Sequence, residues 1–205
     1  MHIVRHGTQL LLLVYSATMQ ARATNIRKVL YITMEQTLIV LKPDTLQRGI
    51  VGEIVTRFER VGLKIVAAKM LSPDFDHYYG HYENIGKLKT RRGEETFNVT
   101  LALMQEGPVL AFVLEGVEAV AQVRKMVGPT EPKSAQPGTI RGDYSHISFT
   151  HADKEHIGIP NIIHASADLD EATQEIAHWF STSEIHDYET VHEKFTQARA
   201  RQQKQ

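Results

Sequence analysis

From Glu35 onward, short β-branched apolar runs take turns with segments of helical period, and that alternation narrows the fold of this chain more than any other feature. Thr37–Leu41 is one such run, stopped at Lys42-Pro43-Asp44 because proline cannot continue a ladder. Gly49–Val61 sets Ile50, Ile54, Val55 and Phe58 on one helical face, with Gly62 placed to end it. Leu63–Leu71 is a second strand, and Ser72-Pro73-Asp74 starts a helix that leads into His77–Tyr82. Pro108–Leu114 is a third strand, Glu115–Val127 an amphipathic helix, and Gly128–Gly142 a long loop rich in proline and glycine. Ile147–Phe149 is the expected fourth strand, and Asp168–Phe180 a helix with Ala172, Ile176, Ala177 and Phe180 inward. Two β-α-β units, with too few strands for a doubly wound sheet, predict an α/β (α+β) fold: a ferredoxin-like sandwich, an antiparallel sheet with helices packed on it.

Composition removes several classes of function. The 205 residues include no cysteine, which excludes disulfide scaffolds, thiolate metal sites and cysteine nucleophiles. No apolar run exceeds the six residues of Leu10–Tyr15, far too short to cross a membrane. Charge is uneven: residues 1–34 hold Arg5, Arg22, Arg27 and Lys28 and no acid, leaving a net of about −5 on the rest. Such a core gives no reason to expect nucleic-acid binding, which wants clustered cations. The basic start with its leucine run reads as a signal peptide ending near Ala21-Arg22-Ala23 or a transit peptide. The plainer readings, an extension or an upstream start codon with Met34 opening the globular pattern, are favoured. The expected layout is therefore an extension over 1–33, a domain over 34–196 and a polar tail over 197–205, acting in the cytoplasm unless the extension is a targeting segment.

Chemistry has to come from dispersed side chains, because neither GxxxxGK[ST] nor GxGxxG nor HExxH occurs. Lys42 ends the first strand, Arg124 lies late in its helix, and Thr130 and Arg141 lie in the long loop. A loop of that length inside a compact domain is usually functional or disordered. In Asn161-Ile162-Ile163-His164-Ala165-Ser166, aliphatic neighbours place His164 in a partly buried setting. A neutral imidazole held in one tautomer can form covalent intermediates, and Ser166 and Glu175 are polar groups able to hold it. His146, His151 and His156 recur every five residues, which fits neither a helix face nor a strand face, so a polar surface insertion is expected there rather than a metal site.

Together these residues resemble one family. Leu41-Lys42-Pro43-Asp44, Gln47-Arg48-Gly49, Val51-Gly52-Glu53-Ile54 and Arg57-Phe58-Glu59 are similar to the opening of nucleoside diphosphate kinases. The likeness continues through His81-Tyr82, Gly107-Pro108-Val109, Glu115-Gly116, Thr130-Glu131-Pro132, Pro137–Asp143, Asn161–Ser166 and Glu175-Ile176 to Trp179-Phe180, in the family's order. The resemblance implies transfer of the terminal phosphoryl group from nucleoside triphosphates to diphosphates, by ping-pong through a phosphohistidine at His164, maintaining nucleotide pools. It implies that Lys42, Tyr82, Arg124, Thr130, Arg141 and Asn161 hold phosphates or ribose, and that Phe97 stacks on the base. Ser166 and Glu175 match the polar support of the histidine. The implied partners are ATP, ADP, GTP and GDP, with Mg²⁺ carried on the phosphates rather than by protein ligands, in a homo-oligomer, hexamer or tetramer. Two departures stand out. The family's His-Gly-Ser-Asp is His164-Ala165-Ser166-Ala167 here, and extra residues lie within 84–96 and 144–160. These departures motivate a rival reading, a nucleotide-binding module that does no chemistry.

Overall fold

The computed structural model describes residues 34–196; the expectations for 1–33 and 197–205 lie outside the described residues. Four strands, β1 (Met34–Leu41), β2 (Lys64–Leu71), β3 (Val109–Val117) and β4 (Ile163–Ala165), form one sheet in the order β2-β3-β1-β4, every pair antiparallel. β1 sits inside this sheet, paired on both edges. Its alternation splits the core: Leu38 and Val40 face one apolar cluster, Ile39 and Leu41 the other.

Helices cover both faces. After β1 comes the short α1 (Pro43–Gln47), with proline at its first turn, where the missing N–H costs nothing. Then α2 (Val51–Arg60) buries Ile54 and Phe58, and Gly62 at φ +89° lets the chain turn into β2. Past β2, α3 (Phe75–Tyr79) is started by Asp74, whose side chain accepts from the His77 N–H, and runs on into a π-helical turn over Gly80–Ile85. The short α4 (Leu88–Arg92) and α5 (Glu94–Met104) follow. α6 is Ala119–Val127, α7 Ile140–Tyr144, α8 Phe149–Lys154, α9 Leu169–Trp179 and α10 Glu193–Thr196. α2, α6 and α7 supply Phe58, Val123 and Ile140 to one cluster; α5 and α9 supply Leu101, Met104, Ile176 and Trp179 to the other.

The ferredoxin-like sandwich is as expected, with four corrections within it. Ile147–Phe149 is not a strand: the Ser148 hydroxyl accepts from the His151 N–H and starts α8 there. The fourth strand is Ile163–Ala165, the histidine's own segment, too short to stand out by periodicity. β3 runs on through Glu115 and Gly116, which pair with Gln36 and Glu35, so the next helix begins only at Ala119, after a left-handed Glu118. The loop after Gly128 is partly ordered: the Thr139 hydroxyl accepts from the Gly142 N–H and caps α7, which carries Arg141. α5 was not anticipated, although Phe97, Leu101 and Met104 repeat at helical spacing along it.

Candidate active site

His164 is the central residue of β4. Ile163 and Ala165 turn into one apolar cluster, so strand alternation sends the imidazole to the opposite face, level with Val40. Its side chain keeps 18% of its surface open, enough for a reacting group to reach it.

The backbone leading into β4 is strained and held from a distance. Ile162 has φ +74°, unusual for any L residue and more so for a β-branched one. Its N–H donates to Asp44 Oδ2 at 3.1 Å, while its carbonyl accepts from the Lys42 N–H at 2.9 Å and from the Thr45 hydroxyl. The Lys42-Pro43-Asp44-Thr45 turn thus fixes both polar groups of the strained residue, the over-determination such a conformation requires. Ala165, where the family has glycine, is not among the positive-φ residues, so its methyl group adds no backbone strain.

Cations crowd the same place. Lys42 and Arg141 are both buried, at 6% and 3% exposure. Arg141 donates from Nε to the Asn161 carbonyl at 3.2 Å, from Nη1 to Gly128 O at 3.0 Å and from Nη2 to Ile163 O. A guanidinium has five N–H groups, so two remain for an anion after it has pinned the Asn161 and Ile163 carbonyls ahead of His164 and that of Gly128. Arg124 donates from Nη1 to Ala165 O at 3.3 Å. Asn161 donates from Nδ2 to Thr130 O at 2.8 Å, tying the loop to β4, and its Oδ1 is buried without a partner. Burial, then the neighbouring Arg141, pushes Lys42 down to about 8 against the opposing pull of Asp44. Burial, then Arg124, pushes Arg141 down to about 9, so both remain charged at neutral pH. Tyr82 reaches the same region from the π-helical turn: its ring lies 6.4 Å from that of His164 and its buried hydroxyl has no partner. Burial raises that phenol, which keeps its proton.

A carboxylate stands beside the ring. Glu175, from α9, places Oε1 2.8 Å from His164 Nε2, and its Oε2 accepts from Ser166 Oγ at 2.6 Å. Ser166 Oγ in turn accepts from the Leu38 N–H at 3.3 Å, which ties the pair to β1. The two atoms are close but not aligned as a hydrogen bond, and neither has another hydrogen-bond partner, so the carboxylate favours a proton on Nε2 and a lone pair on Nδ1. Burial is the main cause that pushes His164 down to about 3; Lys42, Arg141 and Arg124 add to it and Glu171 opposes it. The ring is therefore neutral and nucleophilic throughout the physiological range.

Not every expected residue arrives. Phe97 lies in the apolar cluster at 2% exposure, edge-on to Tyr79 with ring centroids 5.6 Å apart, and offers no face to a nucleotide base. The reason is α5: as a helix it turns Phe97 inward with Leu101 and Met104. The three spaced histidines do not converge. His146 and His151 line a surface cleft with Asp44, Arg48 and Pro160, while His156 Nδ1 pairs with Glu95 Oε1 at 2.8 Å. Four residues escaped the sequence reading as contributors: Asp44 and Thr45, which hold Ile162, and His81 and Trp179, which lie behind Glu175. Trp179 was within reach, since it stands one helical turn after Glu175 and shares its face.

Among the described residues, one group could offer three metal ligands, His81, His164 and Glu175, with donor atoms within 4.8 Å of one another. Two imidazoles and a carboxylate suit zinc rather than magnesium, which prefers oxygen. The Trp179 indole N–H already occupies the His81 Nδ1 lone pair at 3.1 Å. That group is therefore poorly suited to magnesium, and the cations around His164 suit an anion such as a polyphosphate.

Comparison with known proteins agrees with this geometry. Residues 35–185 match the nucleoside diphosphate kinase family model. A Borreliella burgdorferi nucleoside diphosphate kinase is 46% identical over 155 residues, 76% of this chain and 92% of that protein. One from Pyrococcus furiosus is 42% identical over 76% of this chain and 88% of its own length. Among solved structures, the nucleoside diphosphate kinase of Borrelia burgdorferi, a transition-state mimic with vanadate and ADP bound, superposes with a TM-score of 0.77 at 44% identity, covering 80% of this chain and 96% of that one. A Halobacterium salinarum nucleoside diphosphate kinase in complex with CDP superposes with a TM-score of 0.68 at 35% identity, covering 80% of this chain and 99% of that one. The match over residues 35–185, on a fold that brings a half-buried imidazole together with a carboxylate and cations, places this chain in the nucleoside diphosphate kinase family.

Proposed function

We propose that His164 is the phosphoryl carrier of this kinase and that Nδ1 is the atom that bonds to phosphorus. The observation that supports this most is the 2.8 Å approach of Glu175 Oε1 to Nε2, which favours a proton on that nitrogen and leaves Nδ1 the nucleophile. In the first half-reaction the Nδ1 lone pair attacks the terminal phosphorus of a triphosphate such as ATP. The bond from phosphorus to the bridging oxygen breaks, and ADP leaves with that electron pair. No proton needs to move, because Nε2–H stays with Glu175. In the second half-reaction a terminal oxygen of GDP or another diphosphate attacks the same phosphorus, and the electrons of the N–P bond return to Nδ1.

Such a transfer asks for positioning and charge stabilisation. Lys42, Arg124 and the two uncommitted N–H groups of Arg141 neutralise the phosphate oxygens. The hydroxyl of Tyr82 and the amide of Asn161, each with a buried unpartnered oxygen, together with Thr130, complete the nucleotide contacts. Mg²⁺ held by the nucleotide phosphates would supply further charge neutralisation. A nucleotide partner fits the ADP and CDP bound to the related kinases. The assembly that the family likeness implies, a hexamer or tetramer, is read by sedimentation. No helix among the described residues is long and apolar enough to cross a membrane, and a cytoplasmic site of action is the reading proposed.

Incubation with γ-labelled ATP tests the reading. Acid-labile, alkali-stable label is expected on the protein, and His164→Ala is expected to abolish it with a loss in exchange of at least about 10⁴-fold. Label that survives the substitution would remove His164 from the role, and binding of ADP without any exchange would favour a non-catalytic module.

A further inference from the structure

Behind Glu175 lies a pair of side chains that the reaction as written does not use. His81, on the π-helical turn, is 2% exposed, and its Nδ1 stands 3.4 Å from Glu175 Oε1, the same oxygen that faces His164. Trp179, on α9 with Glu175, donates from Nε1 to that same His81 Nδ1 at 3.1 Å. An indole N–H can only donate, so the atom it meets must be an acceptor. The His81 ring therefore carries its proton on Nε2, and burial together with His164, His178 and His77 keeps the ring neutral.

We propose that Trp179 and His81 are positioning residues that act as a tautomer lock on the carboxylate, an inference that rests on Glu175 orienting His164. Were His81 to carry its proton on Nδ1, it would offer Glu175 Oε1 a second donor in competition with His164 Nε2–H. The indole forbids that tautomer. Of the two imidazoles facing Oε1, only His164 then has a proton to give it, while Ser166 satisfies Oε2. His164 is thereby kept with its proton on Nε2 and its lone pair on Nδ1. Of the other groups near the lock, His178 and Tyr82 aim elsewhere, and Glu171 is the one that also acts on the Glu175 carboxyl. His178 bonds through Nε2 to the His77 carbonyl and stacks on the His77 ring, 4.2 Å away, and Tyr82 lies edge-on to His81 at 4.6 Å. Glu171, half-buried one turn before Glu175, is an acidic neighbour whose own pKa burial raises. The π-helical turn is what brings His81 to this place; such turns often occur at functional sites.

The test is a substitution cycle combined with spectroscopy on the unaltered protein. Trp179→Phe keeps an aromatic ring and removes the donor. It should lower kcat of the phosphorylation half-reaction about tenfold with KM little changed, as expected for a disturbed supporting hydrogen bond. Adding His81→Leu removes the misdirected donor and should recover most of that loss, whereas a purely structural pair would lose more activity with the second change. A wild-type rate in Trp179→Phe, or a double variant slower than the single, would overturn the proposal. ¹⁵N spectra of the unaltered protein keep the test open should the variants fail to fold. They should show His81 Nδ1 unprotonated and Nε2 protonated, and a protonated Nδ1 refutes the lock whatever the rates. This readout needs no catalysis, so absence of label at His164 would sink the carrier assignment while leaving the His81 tautomer measurable by itself.

Discussion

Two groups of side chains meet near the His164 ring. Three cations come from separate stretches of chain: Lys42 from the end of β1, Arg124 from α6 and Arg141 from α7. A carboxylate comes from α9, the helix that follows directly, held by Ser166 and backed by Trp179 and His81. The two groups obey different physics. The cation side tolerates burial because its guanidinium spends donors on backbone carbonyls and its remaining charge awaits an anion. The carboxylate side is nearly closed, and there the position of single protons decides what the ring can do. Charge placement is a matter of several residues acting together, while tautomer control runs through one contact of 2.8 Å.

Changing each side separately tests that contrast. The largest effect is expected from Arg141→Lys, because an ammonium cannot satisfy three carbonyls in different directions. Kinetics should show a loss of about 10²-fold or more in kcat/KM, and denaturant unfolding a loss of about 2–4 kcal/mol from carbonyls left unpaired. A variant that loses rate but no stability would mean that Arg141 serves only the anion. Next comes Glu175→Gln, expected to cost about 10²-fold in kcat and, more tellingly, to change the acid limb. Burial raises Glu175 above the ordinary glutamate value, so on acidification it takes up its proton well before His164, which is held down to about 3. Wild-type exchange should therefore fall as pH drops through the raised Glu175 value. The residual activity of Glu175→Gln should lack that limb and persist to about pH 4. The smallest effect belongs to Lys42. As pH rises through about 8 the free enzyme loses this charge, so kcat/KM should decline several-fold while kcat, measured with nucleotide bound, declines less. Equal declines in both would argue that Lys42 acts mainly in the transition state.

How much of this could be read from the sequence follows the same division. Lys42, Arg124, Arg141, Asn161, His164, Ser166 and Glu175 were identified, because their residue types and order carry the family likeness and the structure brings them together around β4. Local periodicity also identified β1, β2 and α2. What failed was short or non-local. A three-residue strand leaves no periodic trace, so β4 was missed and its place given to the segment that Ser148 turns into α8. The family likeness puts Phe97 on the base, but the extra residues within 84–96 blur the register there, and only the helix around it shows that it faces the core. Asp44 and Thr45 gave no hint that they hold Ile162, since the contact spans more than a hundred residues. His81 and Trp179 likewise meet only after the π-helical turn and α9 pack together.

The most direct measurement is of the phosphorylated atom itself. Protein phosphorylated with ATP and then examined by ³¹P–¹⁵N correlation spectroscopy should show phosphorus bonded to Nδ1 of His164, with Nε2 still carrying its proton. Phosphorus on Nε2, or on any other residue, would contradict the assignment of Glu175 as the group that selects the nucleophile.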